Sequence, residues 1–477
     1  MRYLVLTFLL CGCAVSPEYV PPTPNTPARW HAEAQTPPHP APNAQPAPTP
    51  AATGQPWWTL FDDSVLDALI EEALAQGFSV RQAATRIAAA RAERTAIRAG
   101  MLPSVSAGFG ASRQENVFPG LPNQQDFSLF DAGFDARWEL DVFGRQARRV
   151  EAADARIEAL AATRDAARLA LAAEVARTYW ALRTDERRLA LTDAQITLAE
   201  EWHRLQNRRL SGGAGTRQEV VAAAARIEQV RAMQAPLRAA ITVARRQLEW
   251  LLARPPGELD ERLARGASGP RPVPIAAVLN TPAEVMAQRP DIRRAERGLA
   301  AATAMKSAAI ADRYPRISLG LLVGLANTSI GSLFTGPSQA LLAGGQVVAP
   351  LFDGGRLRAA VDMSDAAVAE AVLIYEETAL SAIHEVEMNL SRTVAAERQQ
   401  ESLSRAVALA RESVAIAERR YARGAADRLE LVAAQFAAAD VARQLTGAEG
   451  EVQTSVVALC KALGAGIAPS PDVGQNL

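Results

Sequence analysis

Few side chains in this sequence are spaced for chemistry. Three cysteines (Cys11, Cys13, Cys460) and four histidines (His31, His39, His203, His384) are scattered along 477 residues. They give no metal-ligand spacing, and the chain offers no phosphate loop and no nucleophile–base set. Cys460 stands among Val456, Val457, Leu459 and Leu463 at helical spacing, the place of a buried small side chain. Cys13 is different. A basic Met1-Arg2 start and an apolar run over 3–10, too short to span a bilayer as a helix, read as a signal peptide over 1–12. Leu10-Cys11-Gly12-Cys13 then follows the order of a bacterial lipobox. The chemistry expected there is covalent lipidation of Cys13, which becomes the mature N-terminus. Ala14 rather than an aspartate follows it, which in lipoproteins of this kind favours the outer membrane.

A second set of residues is grouped at two turns. Gly212-Gly213-Ala214-Gly215 precedes Thr216, Arg217 and Glu219, and Gly424 precedes Asp427, Arg428 and Glu430. Thr216 with Glu219 has the spacing of a capping box, and Asp427 with Glu430 is again an N-cap followed three residues later by glutamate. Both turns interrupt very long helical runs. From Arg145 to Ser211 and from Arg356 to Arg423 there is no glycine or proline. About 67 residues of Ala, Leu, Arg and Glu would make a rod of roughly 100 Å. In the first rod Val175, Leu182, Leu189, Ile196 and Leu210 share one seven-residue register and Leu191, Leu198 and Leu205 another. The two stripes are offset by about 200° around the helix, so each rod needs a neighbour on both sides. His203 falls on the first stripe.

The rods follow segments of a different period. Val105, Ala107, Phe109 and Ala111 alternate with Ser and Gly, and Phe130, Ala132, Phe134, Ala136, Trp138 and Leu140 alternate with Asp, Gly, Arg and Glu. Strict alternation predicts strands with one apolar and one wet face, over about 104–113 and 128–142. Residues 114–126 contain Pro119, Gly120 and Pro122 and read as a loop. Adding about 211 to a residue number finds the same parts again. Pro103 goes to Pro315, Gly144-Arg145 to Gly355-Arg356, Arg209 to Arg420, Gly213 to Gly424 and Glu219 to Glu430, while His203 goes to Val414. Ile317, Leu319, Leu321, Val323 and Leu325 mark a third strand over about 316–326, and a weaker fourth covers about 340–351.

The domain organisation expected is therefore a signal peptide (1–12), a lipidated N-terminus and Pro-rich tether (13–56), a first repeat (57–256), a connector (257–278), a second repeat (279–465) and a tail (466–477). The return helix after the first turn is expected to reach about Ala253 with a kink at Pro236. Charges nearly cancel, with 51 Lys and Arg against 52 Asp and Glu, so nothing points to nucleic acid. Four membrane-length strands cannot close a barrel, and open edges are not tolerated in lipid. Two chains give eight strands and a filled lumen, three give twelve and room for water, and a tetramer stays open.

Five stretches resemble the TolC-like outer-membrane factors, in the lipoprotein efflux branch typified by OprM and NodT. They are Gly12-Cys13-Ala14-Val15-Ser16-Pro17-Glu18-Tyr19, Trp57-Trp58 with Phe61, Trp138-Glu139-Leu140-Asp141-Val142-Phe143-Gly144-Arg145, Arg289-Pro290-Asp291-Ile292-Arg293 and Pro350-Leu351-Phe352-Asp353-Gly354-Gly355-Arg356. The resemblance implies a mainly α protein with a membrane β-barrel. Two internal repeats would give four strands per chain, completing a twelve-stranded trimeric barrel over an α-helical periplasmic tunnel. It implies no enzyme activity and no cofactor, only the lipid on Cys13. It implies a homotrimer in the outer-membrane lipid that docks to a periplasmic adaptor (membrane fusion) protein and an inner-membrane pump of the resistance-nodulation-division (RND) class. The expected function is a passive exit duct for drugs or other small molecules, with type I protein secretion as the alternative cargo route. Tyr421, Asp427, Arg428 and Arg217 are the expected aperture residues. Many members carry an aspartate two residues after the turn glycine. Here that position is Ala426 and the acid is Asp427, which reads equally as a helix cap.

Overall fold

The computed structural model describes residues 19–22, 26–31, 56–114, 127–264, 273–275, 278–279 and 281–464. The expected signal peptide, Cys13 and the 115–126 part of the first loop lie outside these residues, as does the tail. Helices and strands follow in the order α1 (Ser64–Gln76), α2 (Phe78–Ala99), β1 (Ser104–Gln114), β2 (Phe127–Leu140), α3 (Arg145–Ser211), α4 (Arg217–Arg231), α5 (Gln234–Leu251), α6 (Asp260–Ala264), α7 (Pro282–Gln288), α8 (Pro290–Ala311), β3 (Arg316–Asn327), β4 (Gln339–Val348), α9 (Arg356–Ala422) and α10 (Arg428–Leu463). The two rods are equal in length, at 67 residues each. The helices after the turns begin at Arg217 and Arg428, so the repeat is in register through both turns.

The chain divides into two compact units, and each takes segments from both repeats. One holds the described residues of 1–23 with 85–161 and 294–377. Its sheet is antiparallel throughout, in the order β1-β2-β3-β4. Strand-to-helix junctions explain two of the sequence motifs. Asp141 accepts the Gln146 and Ala147 N–H groups at 2.9 and 2.7 Å, capping α3 after Gly144 turns at φ +77°. Asp353 accepts the N–H groups of Gly355 and Leu357 in the same way before α9. Arg145 reaches back to Glu139 at 2.7 Å, and Arg94 of α2 pairs with Asp154 of α3 at 2.6 Å. Tyr19 sits against Ala155, Ala300 and Ala301, and its hydroxyl donates to Glu296 at 2.6 Å.

The other unit holds the described residues of 24–84 with 162–293 and 378–464. Its core gathers Trp57, Trp58, Phe61, Leu66, Leu69, Ile70, Tyr179, Trp180, Leu248, Val456 and Leu463. Asp63 caps α1 and also accepts from the Tyr179 hydroxyl at 2.8 Å. Arg289 is buried and donates to Asp291 at 2.6 Å, to Glu385 at 2.7 Å and to the Ala462 carbonyl, which ties α9 and the end of α10 together. Cys460 is fully buried, and burial pushes its thiol up to about 12.

Three local expectations change. The return helix of the first repeat is broken at Ala232–Met233, ahead of Pro236, which sits in the first turn of α5 where its missing N–H costs nothing. Its repeat partner α10 runs unbroken for 36 residues. β4 stops at Val348, before Pro350, which has no N–H to add to the ladder. Trp30, within the stretch read as tether, is 2% exposed and belongs to the core.

Candidate functional site

The sheet has two unlike faces, and register fixes which residues share each. Ala107 lies opposite Phe134, which lies opposite Val323, which lies opposite Leu341. Phe109, Ala132 and Leu325 share that face, as do Trp138 and Leu319. None of the described residues covers it: Phe109 is 61% exposed, Phe134 62% and Leu341 73%. A soluble hairpin would bury such a face on a core, and leaving it in water would forgo about 1.5–3 kcal/mol for each large side chain. The opposite face carries Ser104, Ser106, Asp131, Asp135, Arg137, Glu139 and Ser318 among glycines. Two leucines interrupt its polarity: Leu322 and Leu342 are cross-strand partners beside Asp135. The sequence pattern gave no place to Leu322. Gly133 and Gly324 pair so closely that a Cβ on Gly133 would lie 2.7 Å from the Val323 carbonyl oxygen. Among the described residues β1 and β4 each have one unpaired edge.

The two helical turns are built alike. Gly213 and Gly424 adopt φ +75° and +72°. Ala214 N–H donates to the Arg209 carbonyl at 2.8 Å, and Ala425 N–H to that of Arg420 at 2.9 Å. Both arginines return a guanidinium N–H to the turn carbonyl at 3.3 Å. They differ at the caps. Thr216 and Glu219 form the full reciprocal capping box. Asp427 accepts the Glu430 N–H at 2.8 Å, but the Glu430 carboxylate turns to Arg420 instead.

Of the four expected aperture residues, the structure joins two. Arg428 donates to both oxygens of Glu201, at 2.7 and 3.2 Å, and its Cζ stands 5.8 Å from the centre of the exposed Tyr421 ring. The Arg428 hydrogen bond holds the Glu201 carboxyl below the usual glutamate range. Asp427 is a helix cap that sets where Arg428 begins its helix. Arg217 is exposed and forms no ion pair among the described residues. A cleft of about 280 Å³ lies between the turns, lined by Arg208, Arg209, Gly212 and Ala214 on one side and Asp427 to Leu429 on the other. Glu201 was missed by sequence reasoning: its partner is 227 positions away, and no motif surrounds it. His203 is half-buried, with Nε2 3.1 Å from the Asn207 amide nitrogen.

A bare apolar sheet face backed by a polar one, joined to 67-residue helices, defines an outer-membrane channel subunit. The chain belongs to the outer membrane efflux protein family, whose model matches residues 69–254 and again 281–465, once per repeat. It is 31% identical to Nodulation protein T of Rhizobium leguminosarum bv. trifolii, over 98% of this chain and 97% of that protein. It is 30% identical to the probable efflux pump outer membrane protein TtgC of Pseudomonas putida, over 97% and 94%. The outer-membrane channel OprN superimposes with a TM-score of 0.84 at 29% identity, covering 95% of this chain and 99% of that one. The protein is thus an outer-membrane efflux channel component, with strands in the membrane and a helical periplasmic part. Among the described residues no helix is long and apolar enough to cross a membrane.

Proposed function

We propose that the chain works as a homotrimer, the passive exit duct of a tripartite pump whose adaptor and inner-membrane RND transporter deliver the cargo. The observation that carries this reading is the four-stranded sheet with one bare apolar face and two unpaired edges. In lipid those edges must be closed by other copies, and three copies supply twelve strands with a lumen wide enough for water. The relatives named for toluene, antibiotic and solvent efflux support small, often apolar cargo. Covalent lipid on Cys13 adds a second hold on the membrane. The Arg428–Glu201 pair with Tyr421 is the link that holds the helical ends at the aperture, and Asp427 fixes Arg428 in place as the helix cap. Purified protein should run as a heat-dissociable oligomer and give ion conductance in planar bilayers. A soluble monomer in detergent-free buffer would refute the reading.

A further inference from the structure

The repeat makes one ion pair inside the chain and leaves its counterpart open. Shifting Glu201 and Arg428 each by one repeat gives Glu412 and Arg217. Both are exposed and form no ion pair among the described residues. The surroundings repeat as well. On α3, Leu198, Glu201 and Leu205 lie on one face at i, i+3 and i+7, and the two leucines are half-buried. The matching α9 face is Leu409, Glu412 and Ile416, with Leu409 67% and Ile416 44% exposed. On the covering side, Val432 of α10 is completely buried, four residues after Arg428. Its counterpart Val221 of α4, four residues after Arg217, is 53% exposed. One half of the repeat thus has a covered face and a buried cover, while the other half has a bare face and a free cover.

We infer that Arg217 of one copy pairs with Glu412 of a second copy, with Val221 covering Leu409 and Ile416. This rests on the oligomeric reading above and goes further by naming the contact. Two repeats of like length and register, alternating around a ring, meet across the chain boundary in nearly the way they meet within a chain, since each repeat offers its neighbour the same kind of face. The second copy is the occupant the chain itself specifies: each exposed residue has a repeat partner that is paired or more buried within the chain. The pair therefore completes a ring of alternating bonds, one within a chain and the next between chains.

The test uses full-length protein in outer-membrane preparations. Arg217→Cys with Glu412→Cys should be bridged by a short bismaleimide into covalent dimers and trimers. The control pair Glu201→Cys with Arg428→Cys should bridge within one chain and stay at monomer mass. Arg217→Glu alone should lower the temperature at which the oligomer dissociates, and adding Glu412→Arg should restore it. An oligomer that persists on unheated gels but gives no intermolecular bridge, or no rescue by the charge swap, would overturn the inference while leaving the duct intact. Absence of any oligomer would overturn both.

Discussion

Replacing Arg428 by alanine tests the turn link most directly. Its two bonds to Glu201 join side chains that are 37% and 25% exposed, so water screens the pair. Exposed pairs contribute about 0.2–1 kcal/mol, and bidentate geometry puts this one near the upper end, about 1 kcal/mol. The proposed trimer would make the link three times, so a closed state needing all three would lose about 3 kcal/mol. At about 1.4 kcal/mol per factor of ten, the open fraction should rise roughly 100-fold. The assay is single-channel recording in planar bilayers at fixed salt. Glu201→Gln should open the channel less, because its amide oxygen can still accept one bond. The swap Glu201→Arg with Arg428→Glu should close it again. The pH sign follows from the depressed Glu201 pKa. The link is complete above the ordinary glutamate value of about 4.3 and is lost as pH falls through the lower value it has when paired. Acid should therefore open the wild type and leave Arg428→Ala unmoved. Equal open fractions in wild type and Arg428→Ala, or a swap that leaks as much as the single variant, would refute the link.

Gly133→Ala should block β2–β3 pairing, because its Cβ meets the Val323 carbonyl oxygen and the Gly324 Cα, whereas Gly320→Ala enters open space. Only the former should lose the heat-modifiable band on gels. Asp427→Ala should cost about 1 kcal/mol of capping and raise dye leakage in part, while Asp427→Asn, still able to cap, should leak little. Arg289→Leu takes a buried guanidinium away from Asp291 and Glu385, whose side chains are 31% and 36% exposed. Burial alone would raise the Asp291 pKa, but its bonds to Arg289 outweigh that and hold it low. Water still reaches both acids, so losing these bonds should cost about 1.5–3 kcal/mol and show as a lower melting temperature and yield.

Periodicity makes most of this fold readable in the sequence. Period two set the faces of β1 to β3 to within a residue or two of their ends, because each strand is bare on one side and wet on the other. It missed Leu322 and Leu342, where an apolar residue stands on the polar face and breaks no rule of strand formation. The stripes on α3 were visible, yet which stripe is covered within the chain was not. That depends on α10 crossing α3, a tertiary fact with no local trace. Asp427 as a cap was legible because capping is local, and Glu201 was not because its partner is 227 positions away. Trp30 carried a readable signal, a lone tryptophan in a proline-rich stretch, but its place in the core depends on residues far along the chain.

The equal length of α3 and α9 has a consequence for how this protein can change over time. Removing seven residues from one rod alone would set its turn about 10 Å out of level with the other and break the turn cleft. Removing seven from both rods and seven from each return helix would keep every stripe and pair in phase, because α10 runs back along α3 through Arg428–Glu201 and Arg187–Glu449. The chain's reach can therefore drift only in matched heptads, so variation in length among related chains should come in sets, with a rod and its return helix changing together in each half.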